Sequence, residues 1–157
     1  GIQANGSNQV IVGNNLTGNS AIDLRCQESA GCIGNVVNSN AVTNATKQNR
    51  GIYFDASSYS FTGINVIGDT VTNVTYGLEF QNTSSTGRIQ VLFGGTVSHP
   101  YYAVPSATND VPSGFIAEET GTAAPTTTCS NGSTFTNTSG AAGTTFYGCE
   151  AGAWVAK

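Results

Sequence analysis

Across 157 residues the chain carries only five Lys and Arg against nine Asp and Glu, a net charge of −4, and no Met. The basic residues Arg25, Lys47, Arg50, Arg88 and Lys157 are scattered, which argues against nucleic acid as a partner, and no apolar run approaches membrane-spanning length. The length suits one domain with room for a small appendage. No signal peptide is visible and the chain opens at Gly1, so a processed or truncated product is expected.

Asn, Thr, Ser and Gly dominate, a composition that could pass for disorder, yet the apolar residues are periodic. In chain order, QVIVGNNLTG from Gln9, NVVNSNAVTN from Asn35, INVIGDTVTN from Ile64 and QVLFGGTVSH from Gln90 lie over one another at a spacing of roughly 26 residues. Asn14, Asn40, Asp69 and Gly95 then share one column, of residue types that tolerate a tight turn. Leu16, Val42, Val71 and Val97 share an apolar one. β-Branched units with no helical period make this repeat a solenoid of strands. The expected fold is all-β: a right-handed parallel β-helix of about four coils followed by a small antiparallel β unit.

Each coil reads as a first strand, a turn and a second strand. First strands centre on Ile11, Val37, Val66 and Leu92. Their neighbours Val10, Val12, Val36, Ile67, Val91 and Phe93 are also apolar, with Asn38 and Asn65 as exceptions. Strands alternate their faces, so one apolar set fills the interior and the other needs a cover. A partner subunit is the expected cover, making the chain a homo-oligomer. Second strands are AIDLR from Ala21, GIYFD from Gly51, GLEFQ from Gly77 and YYAVP from Tyr101, and the longest loop is NATKQNRG from Asn44.

The coils are expected over 1–105. A linker over 106–125 offers Phe115 and Ile116 as a docking point on the solenoid end, and a C-terminal antiparallel module fills 126–157. Cys26 and Cys32 enclose a short loop, while Cys129 and Cys149 bracket a hairpin. Neither pair has a zinc spacing, so two local disulfides in an oxidising compartment are the simplest reading, with four unpaired thiols as the alternative. No metal and no cofactor are expected.

The repeats resemble right-handed β-helix proteins of the pectate-lyase type. The closing GSTFTNTSGAAGTTFYGCEAGAWVAK resembles the short C-terminal module of phage tailspikes and secreted bacterial β-helix proteins. Such families include polysaccharide lyases, glycosidases, glycan-binding spikes and surface fibres, and several of the spikes are trimers. The resemblance thus implies an extracellular or virion-associated place without fixing a substrate.

Stacked coils set equivalent side chains about 4.8 Å apart. On the outward face of the second sheet this makes one ladder of Asp23, Tyr53 and Glu79 and another of Arg25, Asp55 and Gln81. Asp23 and Glu79 would lie roughly 9–10 Å apart, and Asp55 and Glu79 roughly 8 Å, near the carboxylate spacing of inverting glycosidases. Tyr53 would offer a ring for a sugar and Arg25 a partner for an anionic one. A solvated face with an Arg25–Asp55 ion pair is the plainer alternative. No catalytic residue is assigned. The acids are too few for a lyase site, His99 reads as a loop residue before Pro100, and Tyr101 and Tyr102 could stack on sugar or plug the solenoid end. The resemblance implies first the C-terminal part of a tailspike or tail fibre that recognises cell-surface glycan and helps trimerise; a fibre subunit stacked coil on coil is the alternative, and a glycan-degrading enzyme comes third.

Overall fold

The computed structural model describes residues 1–18, 21–43, 49–56, 59–81, 84–104, 111 and 114–157. Residues 44–48 of the longest loop, with Lys47, and the start of the expected linker lie outside them. The described residues form strands and turns with no α-helix. The strands are β1 (Ile2–Asn5), β2 (Val10–Val12), β3 (Asn15–Thr17), β4 (Ile22–Arg25), β5 (Cys32–Ile33), β6 (Val36–Asn38), β7 (Ala41–Thr43), β8 (Arg50–Asp55) and β9 (Phe61–Thr62). Two long strands follow, β10 (Ile64–Phe80) and β11 (Gly87–Ala103), then β12 (Phe115–Gly121), β13 (Thr134–Asn137), β14 (Phe146–Glu150) and β15 (Ala153–Ala156).

Parallel pairing stacks these strands into a solenoid. One wall is β1–β4–β8–β10–β11, with Ile2, Ile22, Ile52, Leu78 and Tyr101 in register. A second wall begins β2–β6–β10–β11, with Ile11, Val37, Val66 and Ile89 in register. The two-stranded β5–β9 sheet forms a short third side. The solenoid makes about three turns, slightly fewer than the four coils expected, and β1 adds a rung that the repeat pattern did not show.

Inward side chains fill the lumen. Ile22, Leu24, Ile52, Phe54, Leu78 and Phe80 are at most 1% exposed, so each contributes about 1.5–3 kcal/mol of apolar burial. The Phe54 and Phe80 rings stack at 5.0 Å, and Phe115 closes over Phe80 at 5.0 Å, so the expected docking of Phe115 on the solenoid is observed. Glycine is required at two inner corners. A Cβ on Gly51 would collide with Val71, and one on Gly77 with Phe93.

The turn column is a ladder of amides. Asn40 Oδ1 accepts from Asn14 N and Nδ2 at 3.0 and 2.9 Å; Asp69 Oδ1 accepts from Asn40 N and Nδ2, both at 2.8 Å. This satisfies buried backbone donors that a corner leaves without a strand partner. Leu16, Val42 and Val71 stack beside it as expected.

The last coil departs from the expected register. Val66 pairs with Ile89 rather than Leu92, Val71 with Phe93 rather than Val97, and Asp69 with Val91 rather than Gly95. The offset is already set where β10 and β11 begin to pair, Ile64 with Gly87. The irregularities between Ile67 and Asp69 and between Thr72 and Val74, at Gly68 and Asn73, both at positive φ, move it by one residue and back. β11 passes the Gly68 corner without a bulge of its own and turns only at Gly95, opposite Asn73, so Ile89 and Val91 lie inward and Leu92 is 61% exposed. The continuous outer stripe therefore breaks up. Its stacked positions read Val10, Val36, Asn65, Arg88 and Ile116 along one row and Val12, Asn38, Ile67 and Gln90 along the next.

The stretch expected as linker contains β12, which pairs in parallel first with β11 at Phe115–Ala117 and then with β13 at Glu118–Gly121. Antiparallel β13, β14 and β15 complete the C-terminal unit, where Phe135 meets Tyr147 and Trp154 edge-on. Both expected disulfides form, Cys26–Cys32 and Cys129–Cys149. They fit an oxidising compartment.

Candidate functional site

The outer face of the β1–β4–β8–β10–β11 wall carries the sequence-derived ladders. Gln3, Asp23, Tyr53, Glu79 and Tyr102 occupy successive rungs of one column, with Asn5, Arg25 and Asp55 in the next. Arg25 Nε lies 3.7 Å from Asp55 Oδ2, and Gln81 hydrogen-bonds the Tyr53 hydroxyl. All six candidates, Asp23, Arg25, Tyr53, Asp55, Glu79 and Gln81, thus meet on one face.

Arg50 was missing from that set. It opens β8 immediately before Gly51, and its guanidinium folds over the first ladder. Nε lies 3.8 Å from Asp23 Oδ1, Nη1 lies 3.5 Å from Glu79 Oε1, and Cζ sits 3.5 Å from the centre of the Tyr53 ring. This cover leaves Asp23, Tyr53 and Glu79 less than a tenth exposed, on a face expected to be solvated. A partly desolvated guanidinium on a ring contributes on the order of 1–2 kcal/mol, and its charge offsets the burial of two acids. Burial still raises the Glu79 pKa, with Arg50 opposing the rise and Asp23 adding to it; Tyr53 is raised mainly by burial as well.

Three half-buried rings continue the face. Tyr76 stacks on His99 at 5.3 Å and meets Tyr102 at 4.7 Å, while His99 and Tyr102 are 5.7 Å apart. Arg50, Tyr76 and His99 pair across neighbouring strands, so they form a further column. Its sequence signal was the residue just before the inner-corner glycine, Arg50–Gly51 and Tyr76–Gly77. His99 is therefore a strand residue in a ring cluster rather than a loop residue. Tyr101 points the other way, inside the lumen, as its alternation with Tyr102 requires.

Chemically the face presents flat rings with C–H-binding surfaces beside paired acids, a guanidinium and an amide. Among the described residues no group of three or more His, Cys, Asp and Glu could hold a metal ion, and no helix is long and apolar enough to cross a membrane.

A second concavity lies where the last coil meets the C-terminal unit. It is a cleft of about 700 Å³ between β10, β11, β12 and β13. Glu119 of β12 lines it, with its pKa raised to about 7 by burial. Sequence reasoning passed over Glu119 because it fell in the expected linker.

No family model, curated protein or solved structure matches the chain. The parallel β-solenoid is shown by its strand pairing, and the likeness to pectate-lyase-type and tailspike proteins rests on sequence pattern.

Proposed function

We propose that the chain recognises cell-surface glycan, as the C-terminal part of a spike- or fibre-like protein does, through the face centred on Arg50. The observation that carries this reading is the Tyr76–His99–Tyr102 cluster beside the Arg50-clamped ladder. Rings bind the apolar side of a sugar, and adjacent carboxylates, amide and guanidinium read its hydroxyls or an anionic substituent. Asp23 and Glu79 share one guanidinium, which fixes both carboxyl groups beside the Tyr53 ring, an arrangement that suits recognition. The reading includes assembly as a homo-oligomer, a trimer by the tailspike resemblance, with exposed Val10, Val12, Leu92 and Ile116 available for contact.

An oligosaccharide array probed with the whole chain tests the proposal. The expected result is binding to a defined set of glycans that weakens about tenfold in Tyr102→Ala and in Tyr76→Ala. No binding to any glycan, or equal binding by both variants, would contradict it. Light scattering checks the assembly, for which a folded monomer at micromolar concentration is the adverse result.

One observation favours the fibre reading. Among the described residues β1, β2 and β3 each pair with a single neighbouring strand, which leaves an edge on which another coil could stack. Against it, β12 and the C-terminal unit occupy part of the opposite end. Electron microscopy separates the two: discrete particles support a spike, continuous filaments a fibre.

A further inference from the structure

The cleft between the last coil and the C-terminal unit has the construction of a ligand site, distinct from the ring-lined face. Its volume of about 700 Å³ lies within the usual range for small-molecule sites. Phe93, Tyr101 and Phe135 line it alongside three acids, Asp69, Glu118 and Glu119. Asp69 ends the amide ladder: its Oδ1 receives both Asn40 hydrogen bonds, while its Oδ2, on a residue 1% exposed, is buried without a hydrogen-bond partner among the described residues. In the next coil Val91 stands in register with Asp69, and its side chain has no donor to offer. Among the described residues no Lys, Arg or His lines the cleft. Of the three acids, Glu118 at the rim is already engaged: Arg88 lies 3.9 Å from it and Gln90 Nε2 donates to it.

The buried Asp69 and the partly buried Glu119 share the cleft with three aromatic rings and have no positively charged partner among the described residues. We propose that this cleft is a second binding site, built for an organic ammonium group carried on a ring-shaped or apolar body. The ammonium would donate to Asp69 Oδ2 and the Glu119 carboxylate, and the rings would hold both the cation and its body. Burial raises both acids while no cation is bound, Glu119 to about 7. The other titratable groups lining the cleft are Asp69 on β10, Glu118 on β12 and the buried Tyr101 hydroxyl on β11, itself raised by burial and by Glu119; β13 contributes only Thr134, Phe135 and Thr136. A cation binds the ionised acids, so affinity rises with pH through about 7 and falls below it.

Benzylamine and benzyl alcohol, alike in shape and different in charge, make the test. Nuclear magnetic resonance titration of the whole chain should show benzylamine shifting Phe93, Tyr101 and Phe135, with an affinity about tenfold above that of benzyl alcohol near neutral pH and above. That preference should shrink by about tenfold towards roughly pH 5. Glu119→Gln keeps the shape of a side chain that has no ion pair to lose, so it should stay folded by circular dichroism and lose the preference and its pH dependence. Asp69→Asn keeps the oxygen that Asn40 uses and should weaken benzylamine alone. Equal binding of the two probes, shifts confined to other residues, or a preference that survives Glu119→Gln would each overturn the proposal. The outcome is independent of the glycan result, because the two sites share no residue.

Discussion

The corner after the first strand is held in two different ways along the solenoid. In the early coils Asn14, Asn40 and Asp69 pass hydrogen bonds from rung to rung, and the corner is closed. At the last coil Val91 stands beside Asp69, the register slips, and a cleft of about 700 Å³ opens between that coil and the C-terminal unit. A side-chain amide at a corner donates and accepts at once, so each rung completes the next. An apolar residue there stops the series and strands the final carboxylate oxygen.

The contrast predicts unequal sensitivity. Phe80→Ala removes a fully buried ring stacked between Phe54 and Phe115, so denaturant unfolding should show a loss of about 3–5 kcal/mol across the solenoid. Replacing Cys129 and Cys149 with Ser opens a loop with a sequence separation of 20. It should cost the C-terminal unit about 3 kcal/mol while amide exchange in β4 and β8 stays unchanged. A global loss in that variant would mean that the two regions unfold as one.

The open corner should also respond to pH. Glu119 binds its proton more tightly in the folded state than in the unfolded one, because burial raises its pKa to about 7 from 4.5. Its contribution is therefore fully present below the unfolded value and lost as pH rises to about 7, by on the order of 2–3 kcal/mol, and Glu119→Gln should flatten that slope. At the closed corner Asn40→Ala removes the acceptor for Asn14 and the donor to Asp69. A loss of about 2 kcal/mol is expected, against little change for Asp69→Asn. Equal effects of these two substitutions would erase the distinction between the corners.

The solenoid was legible in sequence where each coil repeats its turn chemistry. Asn14, Asn40 and Asp69 align because the same hydrogen bonds recur, and Ile22, Ile52 and Leu78 because the same lumen is filled. The last coil misled because QVLFGGTVSH imitates the earlier pattern three residues late. Its true inward positions, Ile89 and Val91, follow simple alternation along the first half of β11, and the offset is set where Ile64 pairs with Gly87, before the bulges at Gly68 and Asn73. On the candidate face, rung spacing placed Asp23, Tyr53, Glu79, Arg25, Asp55 and Gln81 together. It could not show Arg50, whose long side chain crosses rungs from a position that strand alternation assigns elsewhere.

The glycan proposal is tested most directly by mapping amide and ring shifts of the whole chain with the tightest-binding oligosaccharide from the array. The account predicts the largest changes at Tyr76, His99 and Tyr102, with smaller ones at Arg50 and Gln81. Changes confined to the cleft around Glu119 or to the exposed Val10 and Val12, or no change at all, would contradict it.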